Sequence, residues 1–470
     1  MSFAKESRLA LKEPMLDDRV TPPQEKQMDE RVAPQAVRPK VTAVRALSSR
    51  LRTGIRSLRK TPSALFSLAG LVVGYYAFSL WGTFLRGDVM LTKPQVPCFA
   101  LAGVDLQVVL GYGRMWLFDG RSPYATDNPF PPLANVLFAP LLLLSQSNAY
   151  HVVVTLTFVA SVLSIVLLPR VFTTDAWSRS VLWVVLTLSF SSYGLQFEIE
   201  RGQFNVIAMA LCYGAIAVFR CYPRRRLLAY VLFTCAVQLK VYPAIMVVLL
   251  CEPGEGLWTV ARRWVALAAT NVACVFALGG DCAKGFFRGL GVQANDPYVW
   301  LGNHSVKAFA KMPETYRRQI LASGHGDIST LAWLQTHGAS ISLLLTALVL
   351  LLFAAIIWGA RRKAAQPVLL LAGTLCCLVL PGASQDYKLS ILPPAMAAFL
   401  CWAEPGNSGT FAQRLLVFLG TFVYTGLQAS YVTRPMLFMN VFPLLMVLVV
   451  ICFLQLLAAP RKAANSTSLG

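Results

Sequence analysis

The stretch "LLAYVLFTCAVQLKVYPAIMVVLLC", Leu227 to Cys251, is an apolar run interrupted by one charged side chain, Lys240, and one proline, Pro243. A continuous helix of that length could cross hydrocarbon, but a lysine is costly in lipid and a proline breaks the helix that precedes it. The run therefore divides into two short helices meeting at "LKVYP" near the outer membrane face.

Similar apolar runs recur on both sides of it. They lie at Ser63–Leu85, 149–168, 181–197, 203–219, 263–280, 340–360, 367–382, 388–402, 413–432 and 437–458. With the divided run they give about 12 transmembrane helices in an all-α polytopic membrane protein. The chain is 56% hydrophobic and only 14% charged, with no charged helix faces at soluble-protein spacing and no period-two strands of a membrane barrel. The shorter run Leu133–Ser145, led by "PFPPL", enters the interface without crossing. Were it to cross, "RCYPRRR" at Arg220–Arg226 would fall outside.

The net charge of +20 does not point to nucleic acid, because the basic residues cluster where apolar runs end. Eight lie between Arg38 and Lys60 with no acid among them. Lysine and arginine concentrate on the cytoplasmic side, which assigns both termini to the cytoplasm and the chain to the cell membrane. Residues 1–60 are too charged and Pro-rich to pack a core and form a basic tail; no cleavable signal peptide precedes the first span. The transmembrane domain then covers 61–460 and a short cytoplasmic tail 461–470. Its outside loops are about 86–132 and 281–339. Eleven cysteines occur without a CxxC pair. Cys98 and Cys282 share the outer side, but spacing alone does not establish a disulfide.

In this arrangement the remaining polar segments gather outside. They are the first loop, "IERGQFN" at Ile199–Asn205, the "LKVYP" bend, the loop 281–339 and "GASQDYK" at Gly382–Lys388. From Gly103 to Phe118 the first loop has the pattern of an interfacial amphipathic helix, with Asp105 in its first turn. A carboxylate there can simply complement the helix dipole. Asp119 lies about 21 Å further along a continuous helix, so the two acids cannot pair within it. One carboxylate suffices for chemistry whose leaving group needs no proton, such as sugar transfer from a phosphate-linked lipid, provided cations attend the phosphate. Arg201, Lys240, His304, Lys307 and Lys388 are the outside-facing cations. Each can also be an interfacial anchor. No His, Asp or Glu cluster has metal-ligand spacing and Asp105 has no DxD partner, so neither a metal nor another cofactor is expected.

The order of Asp105, "GRSPY", "NPFPPL", "RGQFN" and "LKVYP" resembles the bacterial polytopic GT-C glycosyltransferases that use polyprenyl-phosphate sugars, specifically the alpha-mannosyltransferase-like family 87. The resemblance runs from Asp105 to Pro243, with weaker echoes to Lys388. It implies a GT-C-like fold and an inverting transfer of a hexose, mannose by family analogy, from a polyprenyl-phosphate donor to a glycan or glycolipid acceptor outside the cytoplasm. The loop aspartate serves as base, which maps onto Asp105. Tyr124, Gln203, Asn205, Lys240 and Tyr242 occupy motif positions. With Arg201, His304 and Lys388 they are the expected donor phosphate or sugar contacts. Membrane lipids are the other expected partners, and nucleic acid is not one. A secondary transporter or lipid flippase is the competing reading, and a non-catalytic assembly subunit a third.

Overall fold

The computed structural model describes residues 102–125, 128–172, 185–186, 189–190, 192–252, 254–295, 302–313, 328–363, 366–402, 414–415, 417–418 and 441–457. The basic N-terminal tail, the span at Ser63–Leu85, Cys98, Asp127, most of the run 413–432 and the C-terminal tail lie outside these residues.

All regular structure among the described residues is helical. The first helices are α1 (Val104–Leu117), α2 (Pro132–Phe138), α3 (Gln146–Phe172), α4 (Tyr193–Arg201), α5 (Asn205–Cys221) and α6 (Arg226–Leu239). Next come α7 (Leu257–Val275), α8 (Gly280–Asn295), α9 (Ile328–Lys363), α10 (Gln366–Val379), α11 (Leu392–Cys401) and α12 (Phe442–Leu457). Short 3₁₀ helices occupy Ala139–Leu143, Pro223–Arg225, Tyr242–Leu249 and Asp386–Ile391.

The divided run behaves as its lysine and proline dictate. Helix α6 ends at Leu239, Lys240 is extended, and the chain resumes as the 3₁₀ helix Tyr242–Leu249 with Pro243 in its first turn. A proline is tolerated there because a first-turn N–H has no intrahelical partner to lose. The returning segment brings Glu252 back to Arg226 at the start of α6, where the two pair. Both ends of the excursion therefore lie at one level, with Lys240 at its far tip.

Helix α10 is apolar all round and buried along its whole length, as expected of a helix enclosed by others. It packs against α9, α11, α12 and the segment Tyr242–Leu249. Helix α3 packs against α5 and α11, and α5 against α6.

Among the described residues, two helices are long and apolar enough to cross a membrane unaided, Gln146–Phe172 and the Ala332–Ala360 portion of α9. The pairs α4–α5 and α7–α8, bent by 112° and 111°, make up to four if each counts as one span. Shorter apolar helices at Pro132–Leu143, Gln366–Val379 and Pro443–Phe453 fall below that length. The chain is thus a helical membrane protein, with up to four spans distinguished among the described residues against the 12 expected. The segment 281–339, expected as a loop, holds α8 and the start of α9, whose polar first turns stack Trp333 on His337 one turn apart.

At the Arg226 end, Arg263 donates to both oxygens of Glu255 and, at 2.9 Å, to the Leu250 carbonyl. Those donors hold the Glu255 carboxyl below its ordinary 4.5. A depressed carboxylate stabilises fully above its ordinary value and loses that contribution as pH falls through the lowered one. Glu255→Gln should therefore cost about 1.5–3 kcal/mol near neutrality, with the gap from wild type closing below about pH 4.5. Thermal unfolding across pH measures this directly.

Candidate active site

Two glycines bring the first polar segment onto the second. Helix α4 ends at Gly202, whose left-handed φ of 65° lets its own N–H and that of Gln203 bond back to Ile199 and Glu198. Helix α1 begins after Gly103, also left-handed with φ 77°. The Gly103 N–H donates to the Glu200 carbonyl at 2.7 Å. A Cβ on Gly202 would stand 3.0 Å from the Gly103 Cα, and one on Gly103 would stand 2.6 Å from Tyr150 Cδ2. Only glycine meets both the backbone conformation and the approach. Tyr150, whose hydroxyl donates to the Ile199 carbonyl at 2.9 Å, closes the junction from α3.

This clamp sets Asp105 opposite Arg201 and Gln203. Arg201 Nη1 donates to Asp105 Oδ1 at 3.3 Å, and Gln203 Nε2 donates to Oδ2 at 2.7 Å. Asp105 sits in the first turn of α1, but side chains of the α4–α5 turn occupy both its oxygens, and Gly103 takes the cap position. Its side chain stays 25% exposed, so a further ligand can reach the carboxylate. Lys240 Nζ donates to Gln203 Oε1 at 2.9 Å and lies 4.5 Å and 4.3 Å from the ring centres of Phe130 and Phe204. Two aromatic faces stabilise a cation that burial would otherwise penalise. Gln203 thus joins the Asp105 carboxylate and the Lys240 ammonium through the two ends of its amide.

Behind this row lies a buried layer. Glu198 accepts from the Val206 N–H at 2.8 Å, capping α5, and from the Ser390 hydroxyl. Asn205 opens α5, and its Oδ1 accepts from the Tyr242 hydroxyl at 3.2 Å. Lys388 donates to the Ala383 carbonyl and lies 4.8 Å from the Tyr242 ring centre. The buried His304 pairs through Nε2 with Asp386 Oδ1 at 2.7 Å, while Tyr193 donates to Asp386 Oδ2 at 3.3 Å. Around them Asn303 bonds Gly382, Ser384 and Ser305, stitching the two late loops together.

Of the residues expected from sequence, Asp105, Arg201, Gln203 and Lys240 form one connected row, with Asn205, Tyr242 and Lys388 beside it. His304 belongs to the loop junction. Lys307 is partly exposed and bonds the Ala294 carbonyl at 3.1 Å. Tyr124 stands in a separate small cluster with Val275, Cys282, Ala283 and Phe286. Its hydroxyl donates to the Phe130 carbonyl at 2.6 Å, which links it to the row, and burial pushes the phenol above its ordinary value. Sequence reasoning missed Glu198, Asp386 and Ser390. The available signal was the occurrence of acids inside or beside apolar runs, where an ionisable group marks a functional site by default.

Residues 129–381, more than half the chain, match glycosyltransferase family 87. The chain belongs to this family. It is a membrane glycosyltransferase, as the family and the apolar helices together require. Comparison with curated proteins and with solved structures returned no match. The family 87 match contains Arg201, Gln203, Asn205, Lys240, Tyr242 and His304, while Asp105 precedes it. The glycine clamp nevertheless carries Asp105 onto family residues.

Gly202→Ala should force a left-handed alanine, at about 1–2 kcal/mol, and press its methyl on Gly103. A lower unfolding temperature in detergent is expected, together with impaired transfer from a displaced Asp105. An unchanged melt would contradict the clamp.

Proposed function

We propose that this family 87 enzyme transfers a hexose, mannose by family analogy, from a polyprenyl phosphate to a glycan or glycolipid acceptor on the extracytoplasmic side, with inversion. The observation that carries the reading is the partly exposed carboxylate of Asp105 in one row with Arg201, Gln203 and Lys240. The acceptor hydroxyl oxygen forms a bond to the anomeric carbon as the bond from that carbon to the phosphate oxygen breaks. Asp105 takes the hydroxyl proton. The polyprenyl phosphate leaves with the bonding electron pair and needs no proton, so one carboxylate serves where glycoside hydrolysis uses two. A single displacement inverts the anomeric centre.

Arg201 and Lys240 supply the positive charge that the departing phosphate requires, with Lys388 behind them. Gln203 fixes the distance between base and cation, holding the reacting groups in attack geometry. His304 acts on this row at one remove, by fixing the loop that carries Lys388.

Asp105→Asn keeps the shape of the side chain and removes the base. Transfer should fall about a hundredfold or more while donor binding persists. Purified variant with near-normal turnover would remove Asp105 from the mechanism. Lys240→Ala should instead weaken use of the lipid donor, by about 1.5–3 kcal/mol for a lost charge-assisted contact. Donor titrations with acceptor held constant separate the two effects, and unaltered donor dependence would refute the phosphate role.

A further inference from the structure

The far end of α5 carries a second concentration of positive charge. Arg220 lies about 22 Å along the helix from Asn205, well away from the Asp105 row. Arg220, Arg224, Arg225, Arg226, Arg262 and Arg263 occur there with two acids, Glu252 and Glu255. Both acids are engaged, Glu252 by Arg226 and Glu255 by Arg263. Those two guanidinium groups also lie 5.0 Å and 4.9 Å from the centre of the Phe219 ring. Arg220 rests 5.4 Å from the Phe172 ring centre at the end of α3. Its Nε and Nη2 are enclosed, yet they have no hydrogen-bond partner among the described residues, and neither does Nε of Arg226.

An enclosed guanidinium without an acceptor is unfavourable, because it loses hydration without replacing it. Its planar fork matches two oxygens of a phosphate. Arg220 as a whole is only partly buried, so a ligand can approach it, and Arg224, Arg225 and Arg262 stand exposed around it. The rim is also apolar, with Leu227 and Trp258 each 75% exposed. A soluble anion needs no such rim, whereas acyl chains do, and tryptophan favours the headgroup level. Along α3, Tyr150 at the Asp105 junction and Phe172 beside Arg220 are separated by about 33 Å, close to a bilayer's hydrocarbon thickness.

We propose that this arginine cluster binds the phosphate of an anionic phospholipid headgroup at the membrane face opposite the Asp105 row, with Arg220 as its central ligand. The site is separate from the sugar donor's and its occupancy stabilises the fold. Full-length protein in detergent, titrated with phosphatidylglycerol, phosphatidylcholine or inorganic phosphate, tests it by thermal unfolding. Phosphatidylglycerol should raise the unfolding temperature of wild type by several degrees, and the other two should not. Arg220→Gln should lose most of that rise while melting no lower than wild type in phosphatidylcholine, since it removes an unpaired cation. A full rise retained by Arg220→Gln, or one reproduced by inorganic phosphate alone, overturns the proposal. Should Arg220→Gln fail to fold, the exposed pair Arg224→Gln and Arg225→Gln decides. Native mass spectrometry should then show about tenfold weaker phosphatidylglycerol binding, the scale of one charge-assisted contact, and unchanged binding refutes the site.

Discussion

The hydrogen bond from the Gly103 N–H to the Glu200 carbonyl is the contact on which the rest of the polar centre depends. It joins two backbones, one at the left-handed Gly103 and the other two residues before the left-handed Gly202. Backbone-to-backbone contact leaves little positional freedom. Asp105, two residues beyond one glycine, must therefore face Arg201 and Gln203, which flank the other. A carboxylate carried on a surface helix gains in this way the fixed placement of a core residue, and the aromatic pair Phe130 and Phe204 fixes Lys240 in the same manner.

Much of this was legible in the chain. The lysine and proline of "LKVYP" foretold a broken helix because each is penalised for its own reason, one by charge and one by geometry, and both penalties fall at the same point. The short surface helix carrying Asp105, and the turn at "RGQFN", followed from polar residues placed against apolar runs. What the sequence did not disclose were pairings between distant segments. Glu198 with Ser390, and His304 with Asp386, depend on how helices far apart in the chain pack, and no local pattern encodes that choice. Tyr124 illustrates the reverse case. Its motif lies close to Asp105 in sequence, yet its ring packs with Phe286, because helix α8 offers it an apolar partner that a reading of the first loop alone does not contain.

The number of crossings was legible only in outline for a related reason. Hydropathy counts apolar residues, and α10 shows that a short apolar helix can be buried throughout, enclosed by its neighbours. Bends of more than 110° within the α4–α5 and α7–α8 pairs further separate the count of helices from the count of spans.

The pairing of Glu198 with Ser390 also bears on how the protein is made. The chain emerges from its N-terminal end, and domains form in the order of synthesis. Helices α4 and α5 are thus complete while Ser390, and the loop that joins His304 to Asp386, have not been synthesised. Through that interval Glu198 has its bond to the Val206 N–H but lacks its hydroxyl donor, so the nascent α4–α5 pair carries an incompletely satisfied acid. The early helices must keep that region open to water, or shielded by the insertion machinery, until the last third of the chain arrives.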